Sequence, residues 1–543
     1  MTVGDSQISQ EELLKQGALG VETACRQLAM QFDMEICEDL HCLQLPIKWY
    51  QRLPYSLANK HLILPIRENE TEVIAALANP LKLDAIEELR LLLNKTVRAV
   101  YMPKELLTEA IQYCYNQKAG AASQFLADLS KDGEANSENE VYDLLDQEKD
   151  QAPLIKLLNL ILSEAIQQGA SDIHFEPLEN DLRIRYRIDG VLQTRHCPAQ
   201  EYQAQLITRL KVMAKMDIAE RRLPQDGRIK LTMGVREIDF RVSTVPVVHG
   251  ERVVLRILDK GNIVIGFDQL GMSKKIQESI KRLTRHPEGI FLVTGPTGSG
   301  KTTTLYSALS DIHSDEVNIM TVEDPVEYKL DGIAQIGVHR KIDLSFSKGL
   351  RHILRQDPDV VMIGEIRDRE TAEIAVQASL TGHLVLSTLH TNDAPSAITR
   401  LVDMGIEPYL LSSTVVGVLA QRLVRTICKL CKEAYTPSDE ELKDIGLSRS
   451  DLSEGTLYRG AGCKNCLQTG YRGRAGIYEL MPVTYAVKKQ LLASQDSVAL
   501  RRVALDEGMQ GLRESGRDLV IQGTTTIAEV LRVARGVEEG DRS

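Results

Sequence analysis

The sequence predicts an α/β protein built around a mostly parallel sheet that carries a phosphate-binding loop. Two smaller mixed modules precede the sheet, and a four-cysteine insert lies near the C-terminus. Three observations predict this. From about Phe267 to Arg425, apolar strands alternate with helices (IFLVTG, VNIMTVED, DVVMIGEI, HLVLSTLH), the order that gives a parallel sheet with helices on both faces. The first of these strands runs into Gly295-Pro-Thr-Gly-Ser-Gly-Lys301-Thr302, a G-x4-G-K-[ST] loop followed by a helical pattern. The pair Cys428-x2-Cys431 is repeated as Cys463-x2-Cys466.

The length, 543 residues, implies several domains at roughly 150 residues each. Hydrophobic residues make up 43% and charged residues 26%, so the chain can bury real cores and is neither disordered nor collagen-like. No apolar run approaches the roughly 18 residues that cross a bilayer, and residues 1–30 lack a basic start followed by an apolar block. Membrane spanning and Sec-type export are therefore not expected. The net charge of -11 is concentrated between Asp128 and Asp150, where nine acids stand against two lysines. The rest of the chain has no basic footprint for nucleic acid, so none is expected as a direct partner. Nine cysteines, an odd number, argue against a secreted disulfide framework and for a reducing compartment.

In chain order, residues 1–127 alternate helical patterns with short β-branched runs (HLILPI, EVIAALA, VRAVYM) and read as a small α/β docking domain. Residues 128–152 form the acidic linker. Residues 153–262 open with a helix stopped at Gly169 and continue in arginine-rich alternating strands, two of them joined at Asp189-Gly190, as a second, α+β domain. Residues 266–425 are the parallel-sheet core, 426–472 the four-cysteine region, and 473–543 a helical region (TYAVKKQLLA, SVALRRVALDEGM, TIAEVLRVA).

The chemistry follows from residue type and spacing. In Gly295, Pro296, Thr297, Gly298, Ser299 and Gly300 the glycines let backbone N–H groups curl around phosphate oxygens, and Lys301 reaches the β- and γ-phosphates of a nucleotide such as ATP. The hydroxyl of Thr302 ligates Mg²⁺, and Thr303 continues the helix. Hydrolysis also needs carboxylates at neighbouring strand ends. Val360–Ile363 leads to Glu365, which is expected to polarise the attacking water, and Asn318–Val322 leads to an acidic cluster of Glu323, Asp324 and Glu327. His390, after the strand bracketed by His383, is a candidate γ-phosphate sensor. Arg241 and Arg256, on alternating strands of the second domain, are candidates for stabilising phosphate charge. Cys428, Cys431, Cys463 and Cys466 have the form of a closed tetrahedral Zn²⁺ site with no open position, hence a structural metal.

Taken together, GPTGSGKTT (295–303), VEDPVEY (322–328), LRQDPDVVMIGEIRDRET (354–371), TGHLVLSTLHTNDA (381–394), ASDIHFEP (170–177) and RLPQDGRI (222–229) resemble the secretion ATPases of type II secretion and type IV pilus systems. The run RVSTVPVVHGERVVLRIL and the four-cysteine insert look most like the type II members. The resemblance, from about residue 150 to the end, implies a PAS-like second domain joined to a RecA-like ATPase domain. It implies a hexameric cytoplasmic motor, peripheral on the inner membrane, that powers type II protein secretion through pseudopilus assembly. Pilus assembly, and then DNA uptake or conjugation, are the alternatives. It places nucleotide binding and hydrolysis on Lys301, Thr302 and Glu365, and brings Arg241 and Arg256 to the phosphates when domains close. Arg351 and Arg355 match arginines that couple nucleotide state to domain position. By looser analogy, the first domain docks on the cytoplasmic domain of an inner-membrane platform protein.

Overall fold

A computed structural model describes residues 153–233, 236–259, 266–339, 342–452 and 455–534 and, more sparsely, residues between 25 and 111. The acidic segment, and most of the helical pattern over residues 12–32, lie outside the described residues. The chain divides into two units, Met1–Gly261 and Asn262–Ser543.

Apolar runs set the strands of the first module. Helix α1 (Tyr55–His61) leads into β1 (Ile63–Glu68) and β2 (Glu72–Leu77), then α2 (Leu83–Leu93) and β3 (Thr96–Tyr101). Strand β2 pairs antiparallel with β1 and parallel with β3. The module buries its own core, with Leu64, Val73, Ala75 and Leu89 fully inside.

The second module comprises α3 (Pro153–Gln167), β4 (Ala170–Pro177), β5 (Leu182–Ile188), β6 (Val191–His196), α4 (Gln203–Met213), β7 (Gln225–Met233), β8 (Arg236–Val247) and β9 (Gly250–Asp259). Its strands form one antiparallel sheet in the order β6-β5-β4-β9-β8-β7. Because strand side chains alternate, Ile173, Phe175, Ile184, Tyr186, Phe240, Val242, Val253 and Leu255 share one core with α3 and α4. The residues between them carry charge. One cross-strand row reads Arg228, Arg241, Arg256, Asp172, Arg187 across five strands.

The second unit is layered differently. It contains α5 (Lys274–Leu283), β10 (Gly289–Thr294), α6 (Lys301–Ile312), β11 (Ile319–Glu323), β12 (Ala334–Gly337), α7 (Phe346–Ile353), β13 (Val360–Ile363), α8 (Arg369–Leu380), β14 (Leu384–Leu389), α9 (Ala394–Asp403), α10 (Pro408–Thr414) and β15 (Val415–Ile427). Then come β16 (Lys432–Tyr435), α11 (Asp439–Ile445), β17 (Leu457–Gly460), β18 (Tyr471–Pro482), α12 (Tyr485–Ala493), α13 (Ser497–Asp506), α14 (Leu512–Ile521) and α15 (Ile527–Ala534). Seven strands form a sheet in the order β12-β11-β13-β14-β10-β15-β18, parallel except for β18, which runs antiparallel to β15. Its central strands are buried on both faces: Ile290, Leu292 and Val361 enter one core, and Phe291, Val293 and Met362 enter the other. This is why they read as continuous apolar runs rather than as alternation.

The parallel core appears as the strand–helix alternation predicts, but the start of the helical region does not. Residues 471–482 are strand β18, whose partner β15 lies about 50 residues earlier in the chain. That pairing is non-local, and local periodicity does not reveal it. Strand β15 is 13 residues long and runs through the expected boundary at 425/426, ending one residue before Cys428.

Candidate active site and metal centre

Strand β10 delivers the loop, and β15 shapes it. Gly295 has φ +147°, and a Cβ there would fall 2.4 Å from the carbonyl oxygen of Gln421. Gly300 has φ +86°, and a Cβ there would lie 2.9 Å from Gln421 Nε2. Both glycines are therefore required by conformation and by the closeness of one strand. The Gln421 side chain is fully buried; its Nε2 donates to the Ser299 carbonyl at 2.7 Å, and its Oε1 accepts from the Thr304 hydroxyl at 2.7 Å. It thus joins the loop to the helix that follows. Arg422 reaches the other way, donating to the Asn392 carbonyl at 2.9 Å and to Asn392 Oδ1 at 3.2 Å. Thr294 accepts from the Thr391 N–H at 2.9 Å, which ties the start of the loop to the chain beyond β14.

Lys301 opens α6, and no side chain caps that helix at Gly300, which leaves its first turn suited to binding an anion. Lys301 Nζ donates to the carbonyls of Gly295 at 2.8 Å and Pro296 at 3.1 Å. Burial pushes the Lys301 ammonium down to about 8, opposed by Glu365 and reinforced by Arg422. Thr302 sits beside it in the first turn, with its hydroxyl chemistry suited to Mg²⁺, and the Thr303 carbonyl accepts from Ser307 Oγ at 3.0 Å.

Glu365 follows β13 on a clamped backbone. The Gly364 N–H donates to the Val322 carbonyl at 2.8 Å, the Thr388 hydroxyl donates to the Gly364 carbonyl at 2.7 Å, and the Ile366 N–H donates to the Thr388 carbonyl at 3.0 Å. Its carboxylate lies 2.7 Å from Arg367 Nη2 and 3.5 Å from His390 Nε2. Burial first, and then the Lys301 ammonium, hold His390 below its ordinary range, so its ring is neutral near pH 7. Lys301, Glu365 and His390 are thereby brought into one electrostatic neighbourhood.

The second acidic cluster divides. Glu323, expected to serve the nucleotide, is buried and engaged elsewhere. It accepts from Tyr306 Oη at 2.5 Å, the Thr321 hydroxyl at 2.6 Å and Gln335 Nε2 at 3.1 Å, so it joins α6 to β11 and β12. Asp324 is exposed, and Glu327 is half-buried with its backbone N–H 3.4 Å from Tyr306 Oη. His383 closes the end of α8, with Nδ1 2.8 Å from the Ala378 carbonyl. Arg351 pairs with Glu370 at 2.7 Å, and Arg355 lies 2.7 Å from His352 Nδ1.

Arg241 and Arg256 belong to the first unit, opposite each other on β8 and β9. Arg256 Nε donates to Asp172 Oδ1 at 3.0 Å, while Glu176 pairs with Arg185 and Arg252, each at 2.7 Å. The acids of ASDIHFEP are therefore partners for the arginines of the sheet. At the turn before β7, the buried Lys211 pairs with Glu251 at 2.5 Å and donates to the Glu220 carbonyl at 2.7 Å.

The four cysteines converge. Cys428 and Cys463 sulfurs are 3.9 Å apart, Cys431 and Cys466 3.8 Å, and Cys463 and Cys466 3.7 Å. Four sulfurs placed about 2.3 Å from a tetrahedral metal lie roughly 3.8 Å from one another; these three separations match that spacing, and all four sulfurs lie within 4.8 Å of one another, so the set suits such an ion. Burial raises the Cys466 thiol, but N–H groups of Cys463 and Gly470 outweigh it and bring the thiol to about 6, so it carries charge near pH 7.

Sequence reading missed Gln421, Arg422, Arg367 and Tyr306. The available signal was a Gln-Arg pair inside the otherwise apolar strand VVGVLAQRLV, where polar side chains need buried partners.

Comparison with known proteins agrees with this geometry. Residues 147–532 match the family described as Type II/IV secretion system protein, and residues 32–121 match the MshEN domain. The type II secretion system protein E of Pseudomonas aeruginosa is 49% identical over 489 residues, covering 89% of this chain and 96% of that protein. The type IV pilus assembly ATPase PilB of Myxococcus xanthus is 45% identical over 482 residues, covering 88% and 85%. The Legionella pneumophila ATPase DotB has the same fold over 74% of this chain and all of its own, with a TM-score of 0.52 at 21% identity.

Proposed function

The chain belongs to the type II/IV secretion system protein family, and we propose that within it this protein is the ATPase motor of a type II secretion system. The observation that carries the reading is the convergence of Lys301, Glu365 and His390 at the loop that Gln421 shapes. Amides of the loop and of the first turn of α6 bind phosphate oxygens, and Lys301 moves from the Gly295 and Pro296 carbonyls to the β- and γ-phosphates. Thr302 would hold Mg²⁺, which neutralises phosphate charge when bound. Glu365 orients and polarises the attacking water, His390 senses the γ-phosphate, and Glu327 adds a carboxylate from the neighbouring loop. Arg241 and Arg256 supply positive charge to the phosphoryl group when a ring of subunits is assembled; their adjacent register and the Asp172 partner of Arg256 support that role.

On this reading the protein works as a homo-hexamer in the cytoplasm, peripheral on the inner membrane. The N-terminal domain docks on the cytoplasmic part of a membrane platform protein, and the ATPase cycle drives pseudopilus assembly. The domain division follows the one given above, except that the core sheet takes in all of β15 and regains β18, with the zinc-binding region inserted between those two strands. Zinc is the metal of the four-cysteine site because a thiolate-only tetrahedral set selects it. About one zinc per chain by elemental analysis is expected, and a value well below that in unchelated protein contradicts the assignment. The 45% identity to a pilus assembly ATPase supports a second reading, pilus assembly, which complementation of secretion and pilus mutants separates.

The test is ATP hydrolysis against protein concentration, with size by light scattering in the same samples. Specific activity should rise as hexamers form and fall at least about a hundredfold in Glu365→Gln. Full activity in a monomer would overturn the ring and arginine roles.

A further inference from the structure

Strand β14 ends at Leu389, directly before His390, and α9 begins at Ala394. The connection between them is held at each residue after the histidine. The Thr391 N–H donates to Thr294 Oγ1 at the end of β10 at 2.9 Å, and Asn392 accepts from Arg422 of β15. Asp393 caps α9 by accepting from the Ser396 N–H at 2.8 Å, and the Ala394 N–H donates to Glu479 Oε1 of β18 at 2.8 Å. The His390 side chain is 49% exposed, so its ring takes its place from the backbone that carries it more than from its own packing. Of these holds, the one at Asn392 is made at the greatest cost. Arg422 is only 7% exposed, and a guanidinium is expensive to bury without a carboxylate bonded to it. Glu479, the buried acid of β18, pairs instead with Arg501 of α13 at 3.3 Å. Arg422 spends Nη2 on two uncharged oxygens, the Asn392 carbonyl at 2.9 Å and Asn392 Oδ1 at 3.2 Å. Asn392 is exposed, and water would satisfy its oxygens as well, so stability does not call for this arginine. What the contact supplies is position, since it fixes both backbone and side chain two residues beyond His390.

We infer that Arg422 is a positioning residue for His390. By fixing Asn392 it holds the His390 ring where a γ-phosphate arrives, and so sets the preference of the site for a nucleoside triphosphate over a diphosphate. No group has to move for it to do so. The inference rests on the reading of His390 as the γ-phosphate sensor.

The test is binding of ADP and of a non-hydrolysable ATP analogue to the full chain, by titration calorimetry, for Arg422→Met, Asn392→Ala, His390→Ala and the double variants with His390→Ala. Methionine fills much of the arginine's volume with no charge to bury, so Arg422→Met should keep wild-type circular dichroism and zinc content. Asn392→Ala removes Oδ1 at an exposed position and serves as the test by itself if the methionine variant does not fold. Arg422→Met should weaken binding of the analogue by at least about fivefold and of ADP by less than about twofold, and Asn392→Ala should weaken the analogue alone, by at least about twofold. Neither substitution should add to the loss in His390→Ala. Arg422 Nη1 also lies beside Gly295, where a Cβ would fall 3.3 Å from it, so a role in shaping the loop would weaken ADP and the analogue together. Equal losses for the two ligands, no loss, or full addition to His390→Ala overturns the inference. If His390→Ala itself binds both ligands as the wild type does, the sensor role of His390 falls, and the inference with it.

Discussion

The four-cysteine centre and the nucleotide site lie in the same unit and are joined by one strand, β15, yet they are built on opposite plans. The cysteine centre draws four identical ligands from two short knuckles, and their sulfurs already lie within 4.8 Å of one another. The nucleotide site draws on β10, β13, β14 and β15, and its charged groups rest on provisional partners: Lys301 on loop carbonyls, Glu365 on Arg367. A closed ligand set serves stability, whereas a site that must turn over keeps its functional groups in exchangeable contacts.

Metal removal should separate the two most sharply. Chelation, or Cys431→Ser with Cys463→Ser, should unfold the region around residues 428–470 locally and lower the melting temperature. Structural zinc sites are worth about 10–16 kcal/mol in isolated peptides, and a region anchored to β15 and β18 should lose part of that. Calorimetry with parallel metal analysis reads this. If these variants instead lost hydrolysis with an unchanged melting temperature, the contrast would fail.

Lys301→Ala is the converse. Turnover should fall by at least about two orders of magnitude, while circular dichroism and zinc content stay as in the wild type. Gln421→Ala sits between the two. It leaves the buried Ser299 carbonyl and Thr304 hydroxyl unpaired, which should cost about 1–3 kcal/mol of stability and weaken nucleotide binding, measured by denaturation and titration calorimetry. Unchanged nucleotide affinity in that variant would mean that β15 does not shape the loop.

The smallest effect is a fraction of a proton. Burial lowers Lys301 to about 8, so above that pH the nucleotide-free chain has begun to release this proton, whereas bound phosphates hold the ammonium charged. Nucleotide binding at pH 8.5 should therefore take up less than one proton, and affinity should weaken as pH rises through about 8. The unfolded chain keeps this proton to a higher pH than the folded one, so the same group makes folding more favourable as pH climbs between those two values. Titration calorimetry in buffers of different ionisation heat measures the uptake; its absence, or its persistence in Lys301→Ala, assigns the proton elsewhere.

Much of this was legible in the linear chain because it is local. A strand, a glycine loop and a helix start are consecutive residues, so GPTGSGKTT announces its own geometry, and two C-x2-C knuckles announce theirs. Alternation in LRIRYRI and REIDFRV marked the antiparallel sheet, since one face is buried and the other charged. The tertiary structure decided what depends on distant partners. It turned Glu323 inward to Tyr306 and Gln335, and made strand β18 out of residues assigned to a helical region. It placed Gln421 against two glycines more than 120 residues earlier, and set Arg367 on the carboxylate of Glu365. Residue type and spacing fix which groups a segment can offer; only the packing of strands far apart in sequence fixes which of those groups are buried, and against what.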